Sequence, residues 1–140
     1  MYRTSLMLLV AQAAISSTAL APAYAFDDKE FCAAAQQFAR AAATDIDQWL
    51  DRTTRNGGMA VSCDAKLVEF RRFVHASLSV MNESWKQRQA HVLSSTHCNN
   101  PIWKDAIGNG WRIALSITTT DGSRMLIPAQ CDHSTSPAPS

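Results

Sequence analysis

Four cysteines set about thirty residues apart, Cys32, Cys63, Cys98 and Cys131, constrain this chain more than any other feature. They follow an N-terminal stretch built like a secretion leader: Arg3, an apolar run from Leu6 through Ile15, small residues, and the closing triplet Ala23-Tyr24-Ala25. The apolar run is shorter than the ~20 residues that span a bilayer and is diluted by Gln12, Ser16, Ser17 and Thr18. A signal peptide over 1–25, cleaved after Ala25, is therefore expected rather than a membrane anchor. No cysteine adjoins the triplet, so the acylated cysteine of a lipoprotein is missing. In an oxidising compartment thiols pair wherever geometry allows, and an even count in a small domain implies structural bridges.

Cleavage of the 140-residue chain leaves about 115 residues, enough for one domain with a modest core. Lys and Arg number 13 against 12 Asp and Glu, and losing Arg3 balances them. A neutral chain of mixed sign argues against nucleic acid, whose binding rests on concentrated Lys and Arg. Arg71-Arg72 and the pair Arg52 and Arg55 are the local basic spots, and solvated surface is their ordinary explanation.

Asp27 is placed to cap a helix with Glu30 at its third position, and Phe26 and Phe31 bracket the two as a hydrophobic staple. The helix is expected from Asp28 to about Ala43, with Phe31, Ala34, Ala35, Phe38, Ala41 and Ala42 on one face and Phe31 and Phe38 as core anchors. Asn56-Gly57-Gly58 breaks the chain. Met59, Val61 and Cys63 then alternate with Ala60 and Ser62 as in a strand, Asp64-Ala65-Lys66 makes a turn, and Leu67 to His75 returns. That return also fits helical spacing through Leu67, Phe70, Val74, Leu78 and Met81, but its mixture of Val, Phe and charged residues favours a strand. Asn82 caps a second helix over Glu83 to about His97, with Trp85, Val92 and Leu93 facing inward. Asn100-Pro101 starts a short third helix that ends at Gly108-Asn109-Gly110. Trp111, Ile113, Leu115 and Ile117 then alternate with Arg112, Ala114, Ser116 and Thr118, the pattern of a strand with one buried face. Asp121-Gly122 closes a hairpin whose return runs from about Arg124 to Cys131, and Pro128 places that return at a sheet edge. The tail 132–140, rich in Ser, Thr and Pro, is expected to be disordered.

The expected fold is α+β, in the order helix, hairpin, helix, hairpin. It would form a four-stranded antiparallel sheet with helices packed on one face, as a single domain over 26–131. Four cysteines allow three pairings, and Cys32–Cys63 with Cys98–Cys131 is the one that ties each helix to its own following hairpin.

Cys98-Asn99-Asn100-Pro101, Ile107, Gly110-Trp111, Asp121-Gly122 and Cys131 together resemble the C-terminal half of small exported, disulfide-containing proteins of unknown function from Gram-negative bacteria. In those proteins a cysteine, a short helix, Gly plus an aromatic, a strand, Asp-Gly, a strand and a second cysteine recur. The resemblance covers about a third of the mature chain. It implies a bacterial periplasmic or secreted setting and supports the Cys98–Cys131 bridge, and it brings no catalytic residues with it.

Little in the sequence carries chemistry. His91, His97 and Cys98 are close, but a spacing of six does not set two ligands on one helical face, and an oxidised cysteine is no thiolate ligand, so no metal site is expected. A Gly-x-Ser-x-Gly elbow, a Cys-x-x-Cys pair and a phosphate-cradling glycine loop are all missing. Asp45, Asp47 and Asp51 read as a solvated acidic face. Trp85 and Trp111 read as core. Trp49 and Trp103, near segment junctions, together with Arg71 and Arg72, are the candidate binding surface. The expectation is a periplasmic or secreted, non-enzymatic binding or assembly module without a cofactor. Its partner would be another envelope or secreted protein, docked through the edge strand or an aromatic patch, with no nucleic acid and no stable membrane insertion. The alternatives are a small secreted inhibitor or effector, and after that a small hydrolase.

Overall fold

The computed structural model describes residues 25–131. The expected leader, apart from Ala25, and the expected tail over 132–140 lie outside them. Helix α1, Asp28–Ala42, starts where the Asp27 carboxylate accepts from the backbone N–H of Lys29 at 2.8 Å and of Glu30 at 3.1 Å. The rings of Phe26 and Phe31 meet 5.6 Å apart across that start, the staple read from the sequence. The buried stripe of α1 is Cys32 and Ala35, flanked by half-buried Ala39 and Ala42. Phe38, expected in the core, is instead 60% exposed. The bond to Cys63 turns Cys32 toward the sheet, and Phe38, six residues on, is carried about 240° round the helix.

Strand β1 is Thr54–Ser62 and β2 is Leu67–Val74. β1 thus runs through Asn56-Gly57-Gly58, where the sequence suggested a break. The pairing jumps from Asn56 opposite Arg72 to Met59 opposite Phe70, a bulge. Both glycines are needed there. A Cβ on Gly57 would stand 2.9 Å from the Cβ of Arg71, and Gly58 has φ of 80° beneath Ile46. β2 is a strand, not the competing helix, because residues Cys63 to Lys66 turn tightly, with the Lys66 N–H donating to the Cys63 carbonyl at 3.1 Å.

Helix α2, Glu83–His97, is capped by the Asn82 side chain, which accepts from the Trp85 N–H at 2.9 Å. Ala90 and Leu93 face the sheet, and Val92, expected inward, is 60% exposed beside them. Helix α3, Pro101–Gly108, has Asn100 as its cap and Pro101 in its first turn, where the missing N–H costs nothing. β3, Arg112–Thr119, and β4, Arg124–Pro128, form the second hairpin, with Gly122 at φ 81° in its turn. Trp111, Ile113, Leu115 and Ile117 are all buried, as their alternation requires.

The sheet order is β1-β2-β3-β4, so Pro128 does sit on an outer strand. The two hairpins are antiparallel, but β2 and β3 pair in parallel, with Leu67 opposite Arg112 and Val74 opposite Thr119. The sheet is mixed, which corrects the antiparallel expectation. The reason is length. At 1.5 Å per residue the 15 residues of α2 span about 22 Å, close to the ~26 Å of the eight-residue β2, so the helix returns the chain to the end where β2 began.

Val68, Phe70 and Val74 of β2 and Ile113, Leu115 and Ile117 of β3 form the inner face, where α1 packs on β1 and α2 packs on β3 and β4. Two core clusters result: one gathers Cys32, Val68, Ala106 and Trp111, the other Leu93, Ile113, Leu115, Ile117 and Ile127. Phe70 and Trp103 touch both. Disulfides Cys32–Cys63 and Cys98–Cys131, with Cα atoms 5.8 and 5.3 Å apart, match the pairing preferred from the sequence.

Candidate functional site

Between α2 and the segment that leads into β1, a cleft of about 650 Å³ opens over the inner face of the sheet. Phe70, Arg72 and Val74 of β2 form its floor with Leu115 and Ile117 of β3. Trp85, Val92 and Leu93 of α2 make one wall, and Leu50, Asp51, Thr53 and Thr54 make the other. The cleft is walled mainly by apolar atoms, as expected of a site that recognises an apolar ligand surface.

Arg72 is the exception, and its setting is specific. It occupies a position in the apolar row of β2, between Phe70 and Val74. Its guanidinium donates to the Asn56 side-chain oxygen at 3.0 Å and to the Arg71 carbonyl at 2.8 Å. Asn56 is itself fixed: the same oxygen accepts from the Gly58 N–H at 3.1 Å, and its amide donates to the Asp45 carbonyl at 3.0 Å. Burial pulls the Arg72 pKa down from the ordinary guanidinium value, although such a group keeps its proton at any physiological pH. Among the described residues no carboxylate lies within salt-bridge distance of Arg72. Asp51, on the opposite rim, has one oxygen occupied by the N–H groups of Thr53 and Thr54 at 2.7 and 2.8 Å, and these bonds hold its pKa below the usual carboxylate value. The cleft therefore presents a cation, with donor capacity to spare, in an apolar setting.

His97 closes one end. Its ring lies 4.9 Å from that of Phe70 and 5.5 Å from that of Trp103, and Nδ1 is 2.9 Å from the Leu93 carbonyl. A carbonyl only accepts, so Nδ1 carries the hydrogen. His97 is a packed residue, half-buried between Phe70 and Trp103, and among the described residues no three His, Cys, Asp or Glu side chains converge as metal ligands.

The residues proposed from the sequence as a binding surface fall in four places. Arg72 is in the cleft. Arg71, its neighbour, points to the other face of the sheet, 3.5 Å from Glu69. Trp103 is half-buried, meeting Phe31 at 5.7 Å and Phe70 at 6.2 Å. Trp49 is exposed beyond the cleft, stacked over the Arg55 guanidinium at 4.7 Å and 5.0 Å from the His75 ring. The cleft itself was not read from the sequence, although one signal was there. Period-two alternation over Val68, Phe70, Arg72 and Val74 sets a cation in a buried row, which a strand tolerates only where that row is open or the cation is partnered.

No protein-family model and no curated protein matches the chain. Among solved structures, the fold is similar to that of a candidate secreted protein from Pseudomonas aeruginosa, at TM-score 0.55 and 15% identity, over 77% of this chain and 91% of that one. It is also similar to the pilotin of the Vibrio vulnificus type 2 secretion system, at TM-score 0.50 and 11% identity, over 73% and 91%. At such identities the likeness is one of fold. The two disulfides, of a kind that persists in oxidising compartments, agree with the exported setting implied by the C-terminal resemblance.

Proposed function

We propose that this protein is a non-enzymatic binding module acting outside the cytoplasm, in the envelope or after secretion. Its cleft over β2 takes an apolar segment of a protein partner that offers a carboxylate or carbonyl to Arg72. The observation that carries this reading is the guanidinium held at the floor of an apolar cleft with no acidic partner among the described residues. A half-buried cation without an acidic partner gains from an acceptor brought in with apolar surface, because a charge-assisted hydrogen bond strengthens where water is excluded. The fold shared with a secretion-system pilotin supports a partner drawn from an envelope or secretion assembly. Side chains that pack and hold, rather than a nucleophile beside an oriented base, favour recognition over catalysis.

A photoreactive side chain placed at Val92, on the cleft wall, is expected to crosslink one discrete envelope or secreted protein in cells. The same group at Ile102, 71% exposed on α3 and outside the cleft lining, should not. Arg72→Glu should remove the Val92 adduct. Equal adducts from both positions, or none from Val92, would refute the reading.

A further inference from the structure

The face of the sheet turned away from the helices has a chemistry of its own. Side chains on paired strands stay level with their partners. Arg71, Ser116 and Leu126 therefore form one row across β2, β3 and β4, and Phe73, Thr118 and Arg124 form the next. Arg71 and Arg124 occupy one diagonal of this patch, Phe73 and Leu126 the other, and two hydroxyls lie between. All four corner residues are exposed, Leu126 at 50% and Phe73 at 40%. Arg112, also exposed, extends the cationic side toward the start of β3. Among the described residues, β2, β3 and β4 place one carboxylate on this face, Glu69, 3.5 Å from Arg71, and Asp47 borders the patch with Arg55 beside Phe73 and Thr118. The chain as a whole is nearly balanced, with 13 basic and 12 acidic residues, so the excess here is a local sorting of charge.

We propose that this open face rests on a bilayer that bears anionic phospholipid, with the arginines on headgroup phosphates and Phe73 and Leu126 dipping into the acyl boundary. Guanidinium forks match phosphate oxygens, and Ser116 and Thr118 can add hydroxyl donors. An acidic protein surface would use the cations but leave the two exposed apolar corners without purpose, and nucleic acid calls for a denser basic stripe. A headgroup layer above acyl chains satisfies both halves of the pattern. No helix among the described residues is long and apolar enough to cross a membrane, so the contact described is peripheral. The cleft lies on the opposite face of the sheet and stays open to solvent in this orientation, and the proposal does not depend on what the cleft binds.

The test is co-sedimentation of the protein recovered after export, without the leader, with vesicles of phosphatidylcholine alone and with added phosphatidylglycerol. It is scored as the excess partition onto the anionic vesicles, which cancels apolar binding common to both. The excess should be at least about twenty-fold at low salt and should collapse when salt is raised, as screening requires. Arg112→Gln and Arg124→Gln should each reduce it roughly five-fold. The triple change with Arg71→Gln should abolish it, and Phe73→Ser with Leu126→Ser should weaken binding while the salt dependence stays. A control pair off this face, Arg40→Gln and Arg88→Gln, should leave the excess unchanged. Equal partition onto both vesicles, an unaltered triple variant, or an equal loss in the control pair would overturn the proposal. So would saturable binding of inorganic phosphate or polyglutamate, lost in the triple variant, without any vesicle excess.

Discussion

At the scale of single residues, Asp28 holds the start of α1 to the rest of the fold. Its two oxygens accept from the Trp111 indole N–H and the Lys66 ammonium, both at 2.8 Å, so one carboxylate joins α1, the first hairpin turn and the entry to β3. The Lys66 bond first, and the Trp111 bond next, hold its pKa below the ordinary value of 3.8. Because folding depresses that pKa, Asp28 supports the fold above the ordinary value and ceases to as pH falls through its folded value. Asp28→Asn should therefore lower the Tm at neutral pH and flatten its decline below about pH 4, as followed by thermal unfolding across pH. Asp51 and Asp121, depressed by their own loop hydrogen bonds, should keep part of that decline in the variant. Asp27 as a cap was legible because capping is local. The role of Asp28 was not, since its partners lie 38 and 83 residues away.

At the scale of elements, the helices and strands that declared themselves were those whose signals are short-range. Caps at Asp27, Asn82 and Asn100, the Trp111 to Ile117 alternation and the Asp121-Gly122 turn all correspond to observed boundaries. Replacing Asn82 by alanine removes the side-chain acceptor of the Trp85 N–H and should cost about 1 kcal/mol, measured by urea unfolding with an unchanged slope. Which face of a helix is buried was less legible. Phe38 and Val92 satisfy helical spacing, yet both are exposed, because an alanine-rich or mixed helix has more than one plausible stripe. In α1 the Cys32 bond selects the stripe, and in α2 the Ala90 and Leu93 contacts with the sheet do. β1 extended past its glycines because a bulge can absorb them when a neighbour such as Arg71 fills the vacated space.

At the scale of the whole molecule, the disulfides each tie a helix to a distant turn or strand end, and they close separations of 31 and 33 residues. Replacing Cys98 and Cys131 together by serine should cost roughly 3 kcal/mol on chain-entropy grounds, read as a fall in the urea midpoint. The loss should loosen the β4 edge, where the Gln130 N–H bonds the Ser94 hydroxyl at 2.8 Å beside the bridge. If hydrogen exchange in β1 and β2 rose as much as in β4, the two hairpins would not have separate staples.

By itself, the sequence determined the α+β elements, most of their ends and the preferred cysteine pairing, because each rests on local spacing or on chemistry that needs no neighbour. The tertiary structure alone decided the parallel register between β2 and β3, the cleft between α2 and the segment leading into β1, and the placement of Arg71 and Arg72 on opposite faces of one sheet. Those depend on where α2 sets the chain down again and on how far it lies from residues 50–54 across the sheet. No window of sequence encodes those distances, and the site exists only because they leave a gap above Arg72.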